Sequence, residues 1–88
     1  MNWRVELSHR SERQLKRLPR DAQRRLARAI DELEHNPFQG DVIPLKGREW
    51  QGRYRKRVGR YRIIFTPYQE ARLVEISAIL LRNEQTYR

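Results

Sequence analysis

Eighty-eight residues carry 20 Lys and Arg against 11 Asp and Glu, a formal charge of +9, with no cysteine. The length fits one domain, 1–88, whose core comes from a single sheet and a helix pair, and the missing sulfur excludes disulfides, thiolate chemistry and cysteine-built zinc sites. Arginine supplies 17 of the basic residues, and its planar fork of donors suits phosphate, so a polyanion is the expected partner, with a merely solvated basic surface as the bland alternative.

Trp3, Val5 and Leu7 alternate with polar residues, the period of a strand with one buried face. Ser8 or Ser11 then caps a short helix through Arg17 that turns Leu15 and Leu18 inward before Pro19 ends it. Asp21 is the expected cap of a second helix, with Ala22, Leu26, Ala29, Ile30 and Leu33 at helical spacing up to about His35. Asn36, Pro37, Phe38 and Gly40 mark a loop. It leads into Val42, Ile43 and Leu45, a short apolar piece read as a strand edge, and then a connection over 47–52. Strand-like runs fill 53–66 and about 72–80, separated by a turn near 67–71, and the tail 82–88 is polar except for Tyr87. The order predicts an α+β fold: an N-terminal strand, a helical hairpin, then antiparallel strands in a roughly four-stranded sheet with both helices on one face. The other face is left open to solvent or ligand. No apolar run reaches the roughly 20 residues that cross a bilayer, and no signal-peptide block follows the start, so a cytoplasmic protein without a membrane partner is expected.

Gly59 and Arg60 fit a two-residue hairpin turn with glycine first. That turn fixes a register with Val58 opposite Tyr61, Arg57 opposite Arg62, Lys56 opposite Ile63, Arg55 opposite Ile64 and Tyr54 opposite Phe65. Alternation then places Tyr54, Val58, Tyr61, Ile63 and Phe65, with Lys56 among them, on the helix side, and Arg55, Arg57 and Arg62 on the other. Like charges directly across a strand pair cost on the order of a few tenths of a kcal/mol. A bound phosphate reverses that sign, which makes the three arginines a candidate anion site; a solvated basic face is the alternative. Lys46, Arg48, Arg53 and Arg60 are candidates to widen it into an RNA-binding strip.

The run from Tyr54 to Phe65 resembles the signature hairpin of the RelE/ParE toxin superfamily. Leu45-Lys46-Gly47, the stretch from Leu33 to Pro37, and Arg82 with Tyr87 follow the same pattern, so the resemblance covers nearly the whole chain. Two departures stand out: Lys56 occupies a usually apolar position, and Arg82 and Tyr87 are one residue further apart than in common members. The resemblance, closest to the RelE-type ribonucleases, implies a toxin of a type II toxin–antitoxin system. It implies a metal-independent endoribonuclease that cleaves mRNA in the ribosomal A site and needs no cofactor. The implied partners are a cognate antitoxin, mRNA and the ribosome, with operator DNA reached only through the antitoxin complex. It also implies roles for Arg55, Arg57, Arg62, Arg82 and Tyr87 as catalytic residues. ParE members instead poison DNA gyrase and lack the nuclease residues, and a toxin that only binds antitoxin and operator is a third possibility.

RNA can be cut without metal if the ribose 2′-hydroxyl attacks the adjacent phosphate. Arginines preorganised around that phosphate favour the transition state, where charge develops. With a pKa above about 12, arginine is a poor proton carrier. Tyr87 is a candidate base if neighbouring arginines stabilise its phenolate; stacking on a base or anchoring the tail are its alternatives. Arg82 reads as a phosphate clamp, or as a surface ion pair with Glu84. Far apart in the sequence, His9 and His35 read as a surface or cap residue and a helix-end residue rather than metal ligands. Trp3 reads as core; Trp50 covers the core edge or stacks on a nucleobase.

Overall fold

A computed structural model describes residues 2–81. The elements are β1 (Arg4–Leu7), α1 (His9–Lys16), α2 (Arg20–His35), β2 (Val42–Pro44), β3 (Tyr54–Val58), β4 (Tyr61–Tyr68) and β5 (Leu73–Leu81), with one 3-10 turn at Arg48–Trp50. The α+β class and the placement of the helical hairpin follow the sequence expectation. The sheet has five strands rather than about four, in the order β1-β5-β4-β3-β2. It is also mixed, because β1 runs parallel to β5, with Arg4 opposite Leu73 and Leu7 opposite Ile76. Short turns can join only antiparallel neighbours, and β2 to β5 pair that way. β1 and β5 are separated in the chain by the helix pair and three strands, which leaves ample length for the crossover that a parallel pair requires.

The first helix resolves the capping choice in favour of Ser8, whose hydroxyl accepts the Ser11 N–H at 3.1 Å. Ser11 is fully buried and donates to the carbonyls of Ser8 and Ile76, at 3.0 and 3.1 Å. β1 stops opposite Ile76, so the next stretch of β5, paired with β4 on one side, has no strand on its β1 edge. Helix α1 takes over there, with Gln14 Oε1 accepting the Ile79 N–H at 2.7 Å. The second helix begins differently from expectation. Its N-cap is Pro19, which makes no side-chain capping bond, and Asp21 sits inside the first turn. There its charge still complements the helix N-terminus. The side-chain amide of Gln23 donates to the Leu18 carbonyl at 2.8 Å and closes the corner between the helices.

Ala22, Leu26, Ala29 and Leu33 form the buried stripe of α2 and pack on Tyr61, Ile63, Phe65, Val74, Ile76 and Ile79. Fully burying a side chain such as Leu26 or Phe65 is worth about 1.5–3 kcal/mol. An aromatic chain reinforces one end: Tyr54 stacks on Phe65 at 5.8 Å, and Phe38 stands edge-on to both Tyr54 and Trp3. Trp3 packs against the core as expected. The opposite face is less open than expected, since Arg62, Ile64 and Ala78 on that side are all buried.

Lys56 lies on the helix side, as the register requires, and is only 3% exposed. Its ammonium sits 2.9 Å from Glu32 Oε1 and donates to the Gln39 carbonyl at 3.2 Å. A buried ammonium is tolerated only while its partners remain. Glu32→Ala should therefore lower stability by about 1–2 kcal/mol, the usual loss discounted because Glu32 is 60% exposed. Lys56→Met, which removes the charge together with its need for a partner, should change stability by less than about 1 kcal/mol. Urea unfolding of the two variants checks the contrast; equal losses would mean that the ion pair is itself net stabilising and that an apolar side chain cannot stand in for it.

Candidate anion-binding site

The β3–β4 hairpin has the expected register at all five positions, from Tyr54 opposite Phe65 to Val58 opposite Tyr61. Its turn is built as the sequence demanded: Gly59 has φ 58° and Arg60 is not among the positive-φ residues. Arg57 and Arg62 therefore lie directly across the ladder, with Arg55 diagonal to Arg62.

The three guanidinium groups do not meet at one spot. Arg55 and Arg62 line a cavity of about 330 Å³ together with Lys46, Ile43, Pro44, Leu45 and Trp50. Arg57 instead faces a second cavity of about 310 Å³ on the α2 side, with Arg25, Arg28, Glu32, Asp41 and Lys56 among its lining. The cause is Asp41. Its Oδ1 accepts a hydrogen bond from Arg55 Nη1 at 3.2 Å, and its Oδ2 lies 4.0 Å from Arg57 Nε. A carboxylate beside β3 thus offsets the repulsion that the register creates.

The first cavity combines three cations with an apolar wall. Arg62 is 7% exposed and donates to the Tyr61 carbonyl at 3.2 Å. Next to it, Arg55 is largely covered, with 13% of its side chain exposed. Fixed guanidinium donors beside apolar groups act on an anion through less screening than they would in open water. The volume falls in the range of small-molecule sites. Trp50 belongs to this wall and is absent from the core cluster, so it covers the cavity rather than the main core. Arg53 lies over its ring at 5.9 Å, a cation–π contact.

Of the residues proposed to bind RNA, Lys46 enters the cavity. Arg48, Arg53 and Arg60 are exposed and do not belong to its described lining. Arg82 and Tyr87 lie outside the described residues. Sequence reasoning missed Asp41, although an acidic residue just before an expected edge strand is where a cross-strand carboxylate can arise. It also missed that the piece 43–45 would wall the cavity, because the pairing of β2 with β3 is set by tertiary contacts rather than by a turn.

Solved structures similar to this chain include toxins and toxin–antitoxin complexes. A chain of the archaeal RelE–RelB complex from Pyrococcus horikoshii OT3 is similar at 29% identity and a TM-score of 0.81, with 96% of this chain and 99% of that one covered. The toxin–antitoxin complex RelBE2 from Mycobacterium tuberculosis gives 25% identity and a TM-score of 0.82, covering 93% and 100%. The isolated Escherichia coli RelE toxin shares the fold at 14% identity and a TM-score of 0.77, over 96% and 88%. The architecture is that of the RelE-like toxins. The family model described as "ParE toxin of type II toxin-antitoxin system, parDE" matches residues 5–86, and the chain belongs to that family, within the RelE/ParE superfamily. Among curated proteins, none matches.

Proposed function

We propose that this toxin cleaves mRNA, and that the cavity shared by Arg55, Arg62 and Lys46 holds the scissile phosphate. The observation that carries the reading is the convergence of these three cations on one partly apolar cavity with Trp50 on its wall. The 2′-hydroxyl attacks phosphorus, forming the O2′–P bond and breaking P–O5′, and leaves a 2′,3′-cyclic phosphate and a 5′-hydroxyl. Arg55 and Arg62 stabilise the charge that builds on the phosphorane, and Trp50 offers a face for a base. Proton transfer falls to Tyr87 and a further phosphate contact to Arg82, both on the strength of the family resemblance. Arg57 takes a supporting role from the neighbouring cavity.

The RelB complexes of the similar structures support a cognate antitoxin for this chain; operator DNA is reached, on the strength of the family resemblance, only through that complex. Among the described residues no helix is long and apolar enough to cross a membrane, and the proposed site of action is the ribosome in the cytoplasm. One finding favours a second reading: the matching family model is that of the ParE toxins, which implies a gyrase-directed inhibitor without chemistry.

Primer extension on translated mRNA after expression separates the two. The nuclease reading expects codon-phased cuts with the wild type that vanish in Arg55→Ala and Arg62→Ala. Intact mRNA accompanied by gyrase-linked DNA breaks would establish the inhibitor instead.

A further inference from the structure

We infer that Asp41 is a built-in counter-anion for the site, a positioning residue whose carboxylate occupies Arg55 and Arg57 until a substrate phosphate displaces it. The inference rests on the reading of the cavity as a phosphate site and adds to it the group that sets its affinity and selectivity.

Asp41 is placed by the backbone on both sides. Gly40 has φ 85°, a conformation that side chains other than glycine rarely adopt, and a Cβ there would come within 3.2 Å of Lys56 Nζ. The Gly40 carbonyl accepts the Val42 N–H at 2.9 Å, which tightens the bend that carries Asp41. The Asp41 carbonyl in turn accepts the Arg57 N–H at 2.9 Å, which ties the bend to β3. The carboxylate is therefore held beside the strand that carries both arginines. Of the two acidic residues in the second cavity, Glu32 is engaged by Lys56, and Asp41 is the one that faces the guanidinium pair.

The geometry makes it a competitor for phosphate. Its two oxygens divide between two guanidinium groups, as those of a phosphate would. The contact to Arg55 is a hydrogen bond at 3.2 Å, whereas that to Arg57 is a looser 4.0 Å. Asp41 is half-exposed, so each pair is weak and can be exchanged for the two non-bridging oxygens of a phosphodiester. A phosphate seated between Arg55 and Arg62 gains the second guanidinium and Lys46, and so outcompetes the carboxylate. One that meets only the outer arginines gains too little, and the site rejects it.

The test is binding of a short fluorescein-labelled single-stranded RNA with 2′-O-methyl riboses, which cannot be cleaved, followed by anisotropy over a series of KCl concentrations. Asp41→Asn should bind about three- to tenfold more tightly than the wild type, with a salt dependence steeper by about one phosphate contact. Asp41→Glu should restore wild-type behaviour, and in the Arg55→Ala/Arg57→Ala background Asp41→Asn should have no effect. A residue that only shapes the loop would change thermal stability and leave the salt slope where it was. If Arg62→Ala weakens binding but Asp41→Asn binds no tighter than the wild type, the role given to Asp41 is wrong while the phosphate site stands. If Arg62→Ala leaves binding unchanged, the phosphate site itself is wrong.

Discussion

Replacing Arg62 by alanine is expected to lower the rate of RNA cleavage by about 10²–10³-fold, the usual loss for one preorganised donor to developing charge. Binding of intact RNA should fall far less, because the guanidinium matters most when the phosphorane forms. Arg62 is the most enclosed cation of the cavity. Lys46, which is exposed, cannot take over its position. Arg62→Lys keeps the charge and loses the fork, so it should recover only part of the rate. Arg53→Ala is the matched control: it removes an exposed cation over Trp50 and should weaken binding slightly with little change in turnover. Single-turnover cleavage with each variant, alongside a thermal melt to exclude unfolding, checks the ordering. Equal losses for Arg53→Ala and Arg62→Ala would show that the cavity has no special part in the chemistry.

Phe65→Ala should be the most damaging substitution in the core, lowering stability by about 3–5 kcal/mol and Tm by about 15–30 °C. The ring is fully buried on the helix side of β4 and stacks on Tyr54, which holds the start of β3 in place. Its loss opens a cavity beneath the strand that carries Arg55 and Arg57. Activity should therefore fall at temperatures where the fold itself survives. Calorimetry gives the stability. Cleavage assayed well below the new Tm tells whether the strand has shifted.

The hairpin was the part most legible in the sequence, because a two-residue glycine turn leaves a single register and side-chain alternation does the rest. Gly59 thus placed Arg57 opposite Arg62, and the stripe from Ala22 to Leu33 placed α2 beneath them. Long-range pairing was not legible. Nothing local to Trp3, Val5 and Leu7 says that their strand lies parallel to the last one in the chain, and the β2 register depends on packing. The same limit concealed Asp41. Sharing a sheet face places arginines within reach of one another but does not reveal a carboxylate among them, and Asp41 reaches Arg55 and Arg57 from 14 and 16 positions away. Lys56 shows the converse: its side of the sheet was readable from alternation, while its buried pairing with Glu32 arose only when α2 docked.

The most direct test of the phosphate site is chemical. Purified toxin, added to ribosomes programmed with an end-labelled mRNA, should release a fragment ending in a 2′,3′-cyclic phosphate and another starting with a 5′-hydroxyl. A single 2′-deoxy substitution at the cut position should abolish the reaction. An mRNA that stays whole under these conditions, while the same protein blocks supercoiling by gyrase, would contradict the account.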